Sequence, residues 1–288
     1  MQFPEPHIQA PANEHTHTAI LLHGRGSNGP EFATEIFSSV TSQGKNLCDS
    51  LPNFRWVFPS SGDRWSTRFE ESMPSWFDAY SLDNIEENKD KQIEGLRESV
   101  VYILDLLDRE IERVGGDPRR IYLGGISQGM AITLWTFLCA PGRIQRPLGG
   151  ILGFCGWLPF SEDAENLIRG FASGLHASTK QLRASRLFLD VISSSNSSQI
   201  NEDTDLTVLS TPIFLSHGSD DQWVSVELGR QAAGIFQRLE FSIECHEFTG
   251  AEGDGHWIAE FEGFDQILSF IEKQVEQNHE CDNSRKII

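Results

Sequence analysis

The sequence predicts an α/β fold, a mostly parallel central sheet with helices on both faces, and two observations carry that expectation. Short apolar runs of strand length alternate along the chain with longer segments of helical spacing, the pattern of a parallel sheet whose crossovers are helices. At one strand-to-helix junction, Gly125-Ile126-Ser127-Gln128-Gly129 sets a serine between glycines. A single domain over 1–288 accommodates the whole chain of 288 residues, with no composition shift to mark a second.

The elements follow in order. Thr18–His23 is an apolar run closed by Gly24, and Glu31–Val40 follows with helical spacing. Phe54–Phe58 reads as a short strand entering the polar loop Pro59-Ser60-Ser61-Gly62. Ile93, Leu96, Val100, Ile103, Leu107 and Ile111 recur at helical intervals and predict a helix over Lys91–Val114, ended by Gly115-Gly116. Arg120–Gly124 is a strand, Gln128–Ala140 a helix and Leu148–Cys155 a glycine-rich strand. Beyond Thr211-Pro212 come a strand at Ile213–His217, a helix over Val224–Leu239, a strand at Phe241–Phe248 and a closing helix over Trp257–Val275. Residues 161–210 break the alternation. They hold a possible helix at Glu162–Leu175, an apolar patch at Leu187–Ile192 and the polar run Ser193–Ser198, and they read as an insertion or cap. A flexible C-terminal tail is expected from about residue 278.

Charge and composition narrow the function classes. A formal net charge of −19, without a Lys/Arg cluster, argues against a nucleic-acid partner, which needs a basic face against phosphate. The same charge disfavours anionic membrane surfaces, and no apolar run has bilayer-spanning length, so no stable membrane insertion is expected. The N-terminus has neither a basic nor an apolar signal region, and the five cysteines are scattered without CxxC spacing. Free thiols in a reducing cytoplasmic compartment, with no zinc site, are the expectation.

The chemistry lies at Ser127. A GxSxG pentapeptide between a strand and a helix is the setting of a nucleophile elbow. Its glycines let the backbone turn sharply without Cβ clashes, and the helix N-terminus adds partial positive charge where an oxyanion develops. A serine needs a base and an orienting carboxylate, in the chain order Ser, acid, His. Among the downstream histidines, His256 in Gly253-Asp254-Gly255-His256 sits in a loop between the last strand and last helix, at the edge where the elbow lies. His217 precedes the candidate acids, His246 falls within a strand, and His176 and His279 lie in the insert and the tail. Asp220 and Asp221 both follow a strand end and remain equivalent on this reading, with Asp254 a weaker third. The oxyanion donors are expected to be the backbone N–H groups of Gln128 and, from His23-Gly24-Arg25-Gly26, of Arg25. A non-catalytic, ligand-binding member of the fold is the competing class, but such a chain would lack Ser or His, and both are present here.

Taken together, Leu22-His23-Gly24-Arg25-Gly26, Met73-Pro74-Ser75-Trp76-Phe77-Asp78, the GxSxG pentapeptide, His217-Gly218-Ser219-Asp220-Asp221 and Gly255-His256 resemble the acyl-protein thioesterase / lysophospholipase-like carboxylesterase family of α/β hydrolases. The resemblance spans about 18–271 and implies hydrolysis of thioesters on acylated proteins, lysophospholipids or simple esters, without metal or cofactor. It implies Asp221, four residues after His217, as the acid. By the same resemblance, Trp65, Phe69, Met73, Trp76 and Phe77 cluster in a loop that covers the substrate, and Trp65, Met73, Trp76 and Phe77 are expected to bind it. Arg25 departs from the family, which usually has an apolar residue there. With the charged stretch Asp63, Arg64, Arg68, Glu70 and Glu71, it brings forward a soluble small-molecule ester or lactone as the alternative substrate.

Overall fold

A computed structural model describes residues 2–193 and 200–285, so most of the serine run at 193–198 lies outside the described residues. Its strands are β1 (His7–Gln9), β2 (His17–Leu22), β3 (Phe54–Phe58), β4 (Asp63–Ser66), β5 (Glu71–Pro74), β6 (Ile121–Ile126), β7 (Gly150–Phe154), β8 (Ile213–Gly218) and β9 (Ile243–Phe248). Seven of them form one sheet in the order β1-β3-β2-β6-β7-β8-β9. Only β1 runs antiparallel to its neighbour; the other adjacent pairs are parallel. β4 and β5 form a separate antiparallel hairpin.

The helices are α1 (Gly29–Ser38), α2 (Leu47–Ser50), α3 (Gln92–Arg113), α4 (Gln128–Leu138), α5 (Ser161–Arg169), α6 (Ala177–Ile192), α7 (Val226–Arg238) and α8 (Glu262–Arg285). Because successive strand side chains point to opposite faces, β2 feeds two cores. Ile20 and Leu22 join the apolar cluster under α3, α4, α6 and α7. Ala19 and Leu21 join the cluster under α1 and α8. Every residue of α4 is buried. A helix apolar on all sides must sit inside, and α4 accordingly packs on β6 and β7 beneath α3 and α6.

Pairing, not patterning, explains the strands that sequence reading missed. β1 is wholly exposed and becomes a strand only through β3. β4 and β5 carry Asp63, Arg64, Glu71 and Ser72, and hold together through registers such as Arg64 to Met73. Within 161–210, the apolar patch at Leu187–Ile192 is the end of α6, whose buried Phe188 meets Trp135 edge-on at a ring distance of 4.8 Å. The helical layer therefore gains α5 and α6, packed against α3, α4 and α7. The closing helix starts later than expected, at Glu262, and its backbone runs past 278 to Arg285, so the expected tail is helical that far. Among the described residues no helix is long and apolar enough to cross a membrane.

Candidate active site

The carboxyl ends of β2, β6, β8 and β9 lie at one edge of the sheet, and the loops leaving them converge there. Ser127 caps α4 with φ 57° and ψ −121°, a left-handed conformation that is strained for a residue with a Cβ. Close approach on both sides fixes the elbow. A Cβ on Gly125 would lie 2.5 Å from the Gly129 carbonyl carbon, and one on Gly129 would lie 2.2 Å from the Leu22 oxygen. The Ser127 N–H donates to the Phe154 carbonyl at 2.8 Å, tying the turn to β7. Its hydroxyl makes no hydrogen bond to any described residue, and it faces a cleft that His256 also lines.

His256 Nδ1 lies 2.7 Å from Asp221 Oδ2. The Trp223 and Val224 amides each donate to Asp221 Oδ1 at 2.9 Å. Beneath them His217 Nε2 donates to the Val224 carbonyl at 2.8 Å and stands 3.3 Å from Asp221 Oδ2. Burial alone would raise the Asp221 pKa, but the hydrogen bonds from His217, His256 and the Val224 amide overcome it and hold the carboxyl well below its ordinary range. Asp220 is exposed and accepts instead from the Gly250 amide at 2.8 Å. Gly255, at φ 81°, lies so close to the Asp220–Asp221 peptide that a Cβ would come within 2.8 Å. That contact brings the His256 loop down onto the acid.

The loop after β2 is built on His23. Its ring is fully buried; Nε2 accepts from the Ser61 amide at 3.0 Å and Nδ1 lies 2.6 Å from the Gly24 oxygen. An acceptor at Nε2 places the proton on Nδ1, so the neutral ring satisfies both partners. Burial pushes its pKa down to about 4. Trp76 Nε1 donates to the His23 carbonyl at 2.9 Å. The Gln128 side chain clamps the same region, accepting from the Trp76 amide at 2.8 Å and donating to the Phe77 carbonyl at 2.7 Å. The backbone N–H groups of Arg25 and Gln128 have no acceptor among the described residues. Sequence reading missed the Gln128 side chain and His217, because their partners are 52 and seven residues away and no local pattern marks them.

The cleft measures about 430 Å³, and Arg25, Phe69, Met73, Leu82, Trp223 and Trp257 are among the residues around Ser127 and His256. Met73 lines the cleft. Trp76 and Phe77 do not line it: both are fully buried, Trp76 beneath the His23 loop and Phe77 against Trp157. Their apolar area is spent on the core that anchors the hairpin. Trp65 is 61% exposed on β4 and is absent from the cleft wall. A larger cavity of about 690 Å³ lies along α8 and β9 but shares no residue with this cleft.

One cysteine also belongs to the site. Cys155, Asp221 and His256 offer potential ligand atoms within 4.8 Å of one another. Burial pushes the Cys155 thiol up to about 12, so beside the Asp221–His256 pair it keeps its proton. Asp221 and His256 are already bonded to each other. This donor set suits a buried acid–imidazole pair better than a cation.

A mostly parallel sheet with helices on both faces, carrying a strained serine elbow at the carboxyl end of a central strand, defines an α/β hydrolase. The chain belongs to the phospholipase/carboxylesterase family, whose profile matches residues 4–179. It is 28% identical over 278 residues to acyl-protein thioesterase 1 of Yarrowia lipolytica, covering 95% of this chain and 99% of that protein. It is 29% identical to a probable SOBER1-like carboxylesterase of Arabidopsis thaliana, over 92% of this chain and 80% of the relative. Among solved structures, Arabidopsis thaliana SOBER1 superposes with a TM-score of 0.60 at 25% identity, covering 90% and 99% of the two chains. Acyl-protein thioesterase 2 of Zea mays does so at 0.63 and 20% identity, over 94% and 98%, a likeness of fold. Membership places this chain among hydrolases of carboxylic esters and thioesters.

Proposed function

We propose that this protein cleaves a carboxylic ester or thioester through Ser127, His256 and Asp221, by way of an acyl-enzyme. The supporting observation is the meeting, in one cleft, of a strained serine, an imidazole held by a buried carboxylate and Arg25, whose backbone N–H is unpartnered, with the unpartnered Gln128 N–H next to Ser127 in the chain. Ser127 Oγ attacks the acyl carbon as His256 Nε2 takes its proton. Asp221 fixes the ring with Nδ1 protonated and stabilises the imidazolium. The Arg25 and Gln128 N–H groups, with the α4 N-terminus behind Gln128, receive the oxyanion. His256 then gives its proton to the departing oxygen or sulfur as the acyl–leaving-group bond breaks. Water, deprotonated by the same ring, releases the acid and restores Ser127. Substrates are acylated proteins or small-molecule esters, the former suggested by the names of the thioesterase relatives.

A fluorophosphonate probe tests this directly. It is expected to label Ser127 alone, and Ser127→Ala and His256→Ala should each lose about 10⁴–10⁶ in kcat, with the double variant little worse because the residues act as a unit. Labelling that persists in Ser127→Ala would sink the assignment.

A further inference from the structure

The inference below rests on the proposed hydrolysis and names the substrate class. Among the arginines, Arg55, Arg64, Arg119, Arg143, Arg230 and Arg238 each pair with a carboxylate. Arg25 pairs with no carboxylate among the described residues and, like Arg97, Arg109 and Arg186, bonds a carbonyl instead. Its guanidinium has five N–H donors. Among described residues its only hydrogen bond is Nη1 to the Ala79 carbonyl, at 3.3 Å, and its carbon lies over the Phe69 ring at 4.8 Å from the centroid. The nearby Asp78 carboxylate is occupied elsewhere, accepting from the Thr67 amide at 3.0 Å and from the Thr67 hydroxyl. Burial pushes the guanidinium pKa down while the Asp78 charge pushes back. A half-buried cation with unused donors therefore stands on the wall of the cleft, one residue from Gly24, where a Cβ would sit 3.3 Å from Ser127 Cβ.

The cleft lining carries both signs of charge, Arg25 and Glu35. His256 must hand a proton to the leaving group, so the leaving group lies beside His256 and Trp257, and Trp257 packs edge-on against Phe32 of α1, the helix that carries Glu35. Glu35 is a carboxylate whose pKa is raised by burial and by Glu31. The acyl group is left the remaining lining, which includes Arg25 with the Phe69 ring against it, Met73 and Leu82. Met73 and Leu82 suit a short methylene chain, and Arg25 suits an anion at its end, since a planar fork matches a carboxylate. An anion on the other side would meet Glu35.

We infer that Arg25 selects esters or thioesters whose acyl portion ends in a carboxylate, that is, half-esters and half-thioesters of dicarboxylic acids. The guanidinium receives the distal carboxylate, and the methylenes cross Met73 and Leu82 on the way to Ser127.

The test compares p-nitrophenyl hydrogen adipate with p-nitrophenyl heptanoate, which have similar reach and differ in the terminal charge. Adipate is chosen over succinate because a closer carboxylate attacks its own ester. Wild type is expected to have the higher kcat/KM on the adipate. Arg25→Gln should lower the adipate-to-heptanoate ratio by about 10- to 100-fold, the range for losing hydrogen bonds to a charged group. Arg25→Lys, which keeps the charge and loses the fork, should fall between them. In a second readout, free adipate should slow fluorophosphonate labelling of the wild type and lose that effect in Arg25→Gln. If the ratio and the protection are the same in wild type and Arg25→Gln, the inference is overturned while labelling and heptanoate turnover leave the proposed hydrolysis standing. If Ser127 is not labelled and neither ester turns over, both fall together.

Discussion

Lowering the pH from 7 to 4.5 should destabilise the protein through His23. The ring is fully buried, and with Nδ1 protonated both nitrogens are satisfied, so a second proton at Nε2 would face the Ser61 N–H. The folded-state pKa is held down at about 4, against about 6.5 in an unfolded chain. Between those values the unfolded state binds the extra proton and the folded state does not, so stability rises with pH across the window and is lost as pH falls through it. At about 1.4 kcal/mol per pH unit the full gap is worth about 3 kcal/mol, most of it gone by pH 4.5. That is a large share of a typical domain's roughly 5–15 kcal/mol. Urea unfolding followed by tryptophan fluorescence at pH 7, 6, 5 and 4.5 would measure it, in wild type and in His23→Asn. The variant loses stability at every pH because the Ser61 amide goes unpaired, yet its loss between pH 7 and 4.5 should be about 2 kcal/mol smaller. His15, also lowered by burial, contributes equally to both proteins and cancels. Parallel curves for the two proteins would refute the argument.

Three other outcomes follow from the geometry. Asp221→Asn should cost about 10⁴ in kcat, the order seen when a triad acid is made neutral, whereas Asp220→Asn, which keeps an acceptor for the Gly250 amide, should cost little; ester assays in which Asp220→Asn is the worse variant would transfer the role. Arg25→Pro removes one unpartnered N–H and should lower kcat by about 10²–10³, while kcat equal to that of wild type would take residue 25 out of the oxyanion site. Phe77→Ala should lower unfolding stability by about 3–5 kcal/mol, because the ring is fully buried; a raised KM with unchanged Tm would return Phe77 to the substrate wall.

The alternation of strand-length and helical segments was sufficient to predict the parallel sheet, since both periodicities are local. Most helix ends fell within a few residues of expectation, α3 at Gln92–Arg113 against an expected Lys91–Val114. The elbow was legible for the same reason: strand, glycine, serine, glycine and helix are neighbours in the chain. His256 could be chosen by elimination along the chain, but Asp220 and Asp221 could not be separated from residues alone, because both sit in one turn. Only the tertiary structure turns Asp221 toward His256 and Asp220 toward Gly250. It likewise sends Trp76 and Phe77 into the core and leaves Phe69 and Met73 at the cleft. An aromatic in a loop has no periodicity to reveal its direction; the packing of α3 and Trp157 decides it. Arg25 shows the same division. Its place beside the serine follows from the motif, whereas its lack of a carboxylate partner is a property of everything folded around it, because pairing depends on distances between residues far apart in the chain.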